Sequence, residues 1–180
     1  MIYTSNYNSP IGKLLLASKG HQLIGLWIEG QKYFLHNIKE EMQKNDDEMI
    51  LIKAKNWLNK YFNGERPNIY ELDLAPIGSD FAKNVWKILC KIPYGQVTTY
   101  GEIAKEMAEI MHKEKMSAQA VGGAVGHNPI SIIIPCHRVV GTNGSLTGYA
   151  GGIDKKIKLL EHENVNINNL FKKQSHNMLV

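Results

Sequence analysis

The sequence predicts a two-part fold: a small α/β unit over residues 1–75, then a mainly helical unit over residues 79–165, with a tail at 166–180. Three observations carry this. Short apolar runs punctuated by Pro and Gly fill residues 1–30 and lead into one amphipathic helix, the pattern of a small sheet covered on one side. The stretch Leu74-Ala75-Pro76-Ile77-Gly78 breaks that pattern, and short helical segments follow it. Late in the second part a β-branched run, Ile130–Ile134, drives into Pro135-Cys136-His137.

The first strands read as Ile2 to Tyr7, Lys13 to Ser18 and Leu23 to Ile28, joined at Asn8–Gly12 and Lys19–Gln22. Runs of that length separated by tight turns form an antiparallel meander. Residues 31–46 are polar and read as a helix and a loop. From Asp47 to Phe62 the positions Ile50, Leu51, Ala54, Trp57, Leu58, Tyr61 and Phe62 keep helical spacing and make one face to pack on the sheet. Gly64 and Pro67 stop that helix. No catalytic cluster falls in this part, so we read it as structural.

Beyond the junction, Ser79 or Asp80 caps a helix to about Lys91, with Phe81, Val85, Ile88 and Leu89 inward. Cys90, on this helix, reads as a buried small hydrophobe. After Pro93-Tyr94-Gly95, Thr99 and Glu102 have capping-box spacing and open a helix to about Met111. Ser117 caps another, to about Gly126, rich in Ala and Gly. Glycine inside a helix costs about 1 kcal/mol against alanine, so a face without bulk must serve something: another surface approaching the backbone, or close helix packing. Two short helices across a tight loop fit a helix-turn-helix.

Ile130–Ile134 reads as a buried strand ended by Pro135, which cannot donate to a ladder. Cys136 then sits where the chain leaves the core. A thiol reacts as thiolate, and an adjacent imidazole is one of the few groups that favours that form; the alternative for Cys136 is a plain core position. Asn143-Gly144 is a turn signal, in a glycine-rich loop that ends at Gly152. Asp154 caps a last helix through Ile157, Leu159, Leu160 and Glu163. The Asn- and Lys-rich chain from Asn164 to Val180 receives no role.

Composition narrows the class. Of 180 residues 43% are hydrophobic, so a packed fold is expected rather than disorder. There is no signal-peptide pattern, and no apolar run nears the ~18 residues of a membrane span. The two cysteines make neither a disulfide framework nor a zinc pattern with the seven scattered histidines. Free thiols suit a reducing cytoplasm or nucleus. The net charge of +4 lies wholly in the second part: residues 1–75 carry nine basic and nine acidic side chains, residues 76–180 twelve and eight. That excess points weakly to a polyanionic partner.

Pro135-Cys136-His137-Arg138-Val139, the Tyr100 helix start, Ala120-Val121-Gly122-Gly123 and Gly148-Tyr149-Ala150-Gly151-Gly152 together resemble the methylated-DNA–protein-cysteine methyltransferases, the O6-alkylguanine-DNA alkyltransferase family. The resemblance is dense from Ser79 to Glu163 and looser, though in consistent order, over residues 1–75. It implies a ribonuclease-H-like N-terminal α/β domain and a winged-helix-like, DNA-binding C-terminal domain. Cys136 would take the alkyl group from O6 of guanine (and from O4-methylthymine) in one irreversible step, once per molecule. His137, oriented by Glu163, would accept the thiol proton through a water, and a histidine poised near neutrality suits that task. Asn128 resembles the residue that braces the active-site turn, and Tyr100 the one that crowds the phosphate and protonates departing guanine.

The target base lies inside duplex and must be flipped out. Tyr149, Gly151 and their neighbours resemble the wall and lid of the base pocket, with the amides of Val139 and Ala150 on the base oxygen. Ser117, Gln119, Ala120, Gly122 and Gly123 would lie in the minor groove of alkylated double-stranded DNA, where readout is nearly sequence-blind. A monomer is expected. No cofactor and no metal are expected, and no dinucleotide or phosphate-loop motif appears. One position departs: the family usually has an arginine where this chain has Gln119, which predicts weaker action on duplex. The alternatives are a non-catalytic alkylated-DNA binder, whose relatives typically lack the cysteine, and a cysteine hydrolase.

Overall fold

In the computed structural model, which describes residues 1–170, the chain falls into two units. One is Met1–Gly78 with Pro129–Ile134; the other is Ser79–Asn128 with the described chain from Pro135 to Leu170.

The first unit holds a four-stranded sheet in the order β3-β2-β1-β4, from β1 (Ile2–Ser9), β2 (Gly12–Lys19), β3 (Gln22–Ile28) and β4 (Met42–Lys44). The first three form the expected antiparallel meander, whereas β4 runs parallel to β1. Helix α1 (Met49–Phe62) packs on β1, β2 and β3 and buries Ile50, Leu51, Ala54, Trp57, Leu58 and Tyr61. Strand β3 is buried from Leu23 to Ile28, so apolar residues occupy both of its faces. Its outer edge is covered by single bridges to Leu74 and Ile130.

Two expectations for this unit are corrected. Residues 31–46 contain no helix: the chain turns repeatedly, with Tyr33 and Leu35 at positive φ, and ends in β4. Leu35 and Ile38 pack on the Trp27 cluster, and that tertiary burial holds a segment with no helical period. Nor is Ile130–Ile134 a strand. Only Ile130 bridges β3; the Ile133 amide then donates to the Ser131 carbonyl at 2.8 Å around Ile132, whose φ is +72°. This is a γ-turn of the rare positive-φ kind. Ile130, Ile132, Ile133 and Ile134 are all buried, so the apolar run marks burial correctly while the backbone turns.

The second unit is helical, with α2 (Asp80–Leu89), α3 (Tyr100–Ile110), α4 (Ala118–Gly126) and α5 (Ile153–His162). Ser79, Thr99 and Ser117 cap α2, α3 and α4, each side-chain oxygen accepting an amide three residues on. Helix α5 is capped differently: Gly152, at φ +94°, is its N-cap and Asp154 lies in the first turn, where a carboxylate favours the dipole. Trp86 Nε1 on α2 donates to the Ala124 carbonyl on α4 at 2.9 Å, tying the helix pair α3–α4 to α2. Two short strands, β5 (Thr98–Thr99) and β6 (Val139–Val140), pair in parallel. They tie the start of α3 to the turn that bears Cys136. Of the tail, Ile167 and Leu170 are buried with Val140, Leu146 and Leu160; residues 171–180 lie outside the described residues.

Candidate functional site

Pro135 is followed by a single 3-10 turn, Cys136–Arg138, before the chain enters β6. Three consecutive side chains, Cys136, His137 and Arg138, therefore fan out from one turn, and all are buried: Cys136 is 5% exposed and His137 0%. Burial pushes the Cys136 thiol upward in pKa. The opposing influences are a hydrogen bond from the Asn128 side chain, the Lys156 cation, and the backbone amides of Cys136 and His137. This corrects the expectation that the adjacent imidazole lowers the thiol: His137 is itself driven down by burial, against the pull of Glu163 and with the push of Arg138 and Lys156. The resting pair is a neutral thiol and a neutral imidazole.

The imidazole has one hydrogen-bonded and one open nitrogen. His137 Nε2 donates to Glu163 Oε2 at 2.5 Å, while Nδ1 is buried with no hydrogen-bond partner. Nε2 thus carries the ring proton, leaving Nδ1 with a lone pair able to accept one. Glu163, just past the last turn of α5, is buried, which favours its protonation; hydrogen bonds from His137 and Arg138 and the guanidinium charge of Arg138 outweigh that and hold it well below the usual carboxylate range.

Of the residues expected beside the base, Tyr100 lies against Gly148. Tyr100, at the first position of α3, is half-buried, and burial with the nearby Cys136 raises its phenol to about 12. It therefore keeps its proton at neutral pH. Its ring lies beside Gly122 of α4, and its hydroxyl beside Gly148, where a Cβ would come within 3.2 Å. Gly148 has φ +90°, a conformation side chains rarely adopt. Tyr149 is buried, its hydroxyl has no hydrogen-bond partner, and burial raises its pKa. Asn128 and Val139 are buried, whereas Ala150 and Gly151 are partly open.

On α4 the buried face is Val121, Ala124 and Val125, while Ser117, Ala118, Gln119, Ala120 and Gly123 face solvent. A Cβ added at Gly123 or Gly126 would meet nothing within 4 Å. Packing inside the unit does not demand those glycines.

Three contributors escaped the sequence reading. Lys156 is fully buried on α5, and its Nζ donates to the Val139 carbonyl at 2.5 Å. Burial pulls its pKa down to about 8, against the raising influence of Cys136. Its signal was available: residues 156, 159, 160 and 163 share one helical face, and a lysine on an apolar stripe needs a partner. Arg138 donates through Nε to Glu163 Oε1 at 2.7 Å and through Nη2 to Oε2 at 3.2 Å. The Gly95 amide donates to Glu163 Oε1 at 3.0 Å, a backbone contact no residue type announces. Among the described residues no group of three or more His, Cys, Asp or Glu is placed to hold a metal. No helix there is long and apolar enough to cross a membrane.

Comparison with known proteins fits this geometry. Residues 2–76 match the ribonuclease-like domain of 6-O-methylguanine DNA methyltransferase, and residues 80–165 match its DNA binding domain. A methylated-DNA–protein-cysteine methyltransferase of Mycobacterium tuberculosis is 44% identical over 164 residues, covering 91% of this chain and 93% of its own. One of Haemophilus influenzae is 37% identical, covering 91% of this chain and 87% of its own. Among solved structures, Mycobacterium tuberculosis OGT in complex with DNA superposes with a TM-score of 0.77 at 40% identity, covering 94% of this chain and 99% of that one.

Proposed function

The chain belongs to the 6-O-methylguanine DNA methyltransferase family, and from that premise we propose how its own residues perform the repair. The protein transfers the methyl group of O6-methylguanine in DNA to its own cysteine. The observation that carries this is the convergence of a buried Cys136, hydrogen-bonded by Asn128, with a neutral His137 held by Glu163.

In our reading the everted base enters beside Tyr100, Tyr149 and the 148–151 loop. Cys136 Sγ attacks the methyl carbon as the carbon–O6 bond breaks and its electron pair leaves with guanine. The thiol proton passes through a water to Nδ1 of His137, and the imidazolium that forms is stabilised by the Glu163 carboxylate. Tyr100, a phenol at working pH, donates a proton to the departing guanine and regains one through solvent from His137. The sum is a neutral thiol and alkylated base going to a thioether and guanine. Nothing in the site returns a thioether to thiol, so each molecule acts once. Lys156 serves as the cation that the transient thiolate meets.

DNA is approached through the minor groove by α4, with Gln119, Ala120, Gly122 and Gly123 on the open face and Ser117 as its cap. Phosphates along that groove suit the net positive charge of the second part. The protein works as a monomer, and its two free thiols suit the cytoplasm. Incubation with a duplex oligonucleotide containing O6-methylguanine should add one methyl group to the intact protein, absent in Cys136→Ser. Binding without mass gain, or repeated ester cleavage without DNA, would overturn the reading.

A further inference from the structure

We propose that Arg138 is a positioning residue for this transfer: its guanidinium grips both oxygens of Glu163, so that Glu163 holds only the Nε2 proton of His137 and Nδ1 is left as the acceptor. The inference rests on the transfer described above and adds what makes His137 a usable base.

The two Glu163 oxygens receive four N–H donors: Gly95, Arg138 Nε, Arg138 Nη2 and His137 Nε2. A carboxylate has about four acceptor positions, so this one is full as an anion, and protonating it would expel a donor. Arg138 is itself fixed. Nη1 donates to the Ile92 carbonyl at 2.7 Å, and the guanidinium carbon lies 5.7 Å from the centroid of the Tyr94 ring. Tyr94 in turn donates its hydroxyl to the His162 carbonyl at 3.2 Å, next to Glu163. The turn 92–95 and the end of α5 thus clamp the ion pair from two sides.

The charge balance gives the clamp its consequence. A buried anion demands a counter-charge. Without Arg138, the group in contact with Glu163 best placed to supply one is His137, by becoming imidazolium, and an imidazolium cannot take the thiol proton. Arg138 provides the positive charge in its place. The other ionisable groups around His137 do not substitute. Lys156 donates to Val139 rather than to Glu163, and Cys136, Tyr149 and Tyr94 are neutral when protonated.

The test is the single-turnover rate of methyl transfer from an O6-methylguanine oligonucleotide between about pH 5 and about pH 9, the span in which histidine changes charge. It compares the wild type, Arg138→Gln and Arg138→Lys. Arg138→Gln should move the acid limb up by about one pH unit, about tenfold slower at a fixed pH there, with the alkaline plateau within about threefold of wild type. Arg138→Lys keeps the charge and should restore the limb. An equal loss for Arg138→Gln at every pH overturns the proposal, since a purely structural role predicts that. Should Arg138→Gln not fold, nitrogen-15 NMR of His137 in the unaltered protein decides. A neutral ring protonated at Nε2 near pH 7 is expected, and an imidazolium or an Nδ1-protonated ring overturns it. Failure of the wild type to gain a methyl would instead refute the transfer itself, leaving the NMR result to judge Arg138.

Discussion

Replacing Lys156 by Met tests the electrostatics of the site through folding stability. The buried ammonium falls from 10.5 to about 8 in the native state. Between those values the unfolded chain binds a proton that the native protein does not, so stability rises with pH across that window and the cost of the charge is present below it. A fall of that size corresponds to about 3 kcal/mol. Methionine carries no charge and removes this term, but it also strips the Val139 carbonyl of its donor, a loss of about 1–3 kcal/mol. The absolute change at neutral pH is therefore a near balance, whereas its pH dependence is not. In a Cys136→Ser background, where the thiol no longer titrates, denaturant unfolding at about pH 7 and about pH 10.5 should show the stability of Lys156→Met relative to Lys156 falling by about 3 kcal/mol. A difference that stays flat with pH would refute a native lysine pulled down by burial.

Two further outcomes follow from the DNA-facing side proposed above. Gln119→Arg adds a guanidinium at an exposed position of α4 and should speed methyl transfer from duplex by severalfold while leaving the rate with free O6-methylguanine unchanged; equal duplex rates for the two proteins would sink this. Gly148→Ala forces a side chain into φ +90° with its Cβ 3.2 Å from the Tyr100 hydroxyl, costing about 1–2 kcal/mol of stability. It should slow repair while sparing alkylation of Cys136 by a small reagent. Unaltered repair would show that the loop and Tyr100 shift without consequence.

Much of the fold was legible because local signals agreed with tertiary burial. The strands of the meander, the Trp57 face of α1 and the serine and threonine caps of α2, α3 and α4 each depend on spacing within a few residues. Residues 31–46 were misread because Leu35 and Ile38 are placed by packing on the cluster of Ile2, Ala17, Ile24 and Trp27, residues of three different strands, and not by any period. In the site, Cys136, His137 and Glu163 stood out by residue type and resemblance. Lys156 did not, because a lysine in a helix otherwise rich in charge reads as solvated. Arg138 had no local cue, since its worth lies in partners at positions 92 and 163. The thiol's state was misjudged for a related reason: sequence adjacency to histidine says nothing about desolvation.

Position 132 has to reconcile demands that no single amino acid meets. Its side chain is wholly inside, where an isoleucine is worth about 1.5–3 kcal/mol. Its main chain bends at an angle comfortable only for glycine, a penalty of about 1–3 kcal/mol for anything branched. Because the two quantities nearly cancel, glycine there would relax the bend and hollow out the interior in similar measure. Ile132→Gly should accordingly look milder in melting experiments than the depth of the position suggests, its gain masking its loss, whereas Ile132→Ala keeps most of the bend's penalty and shows the full loss of burial.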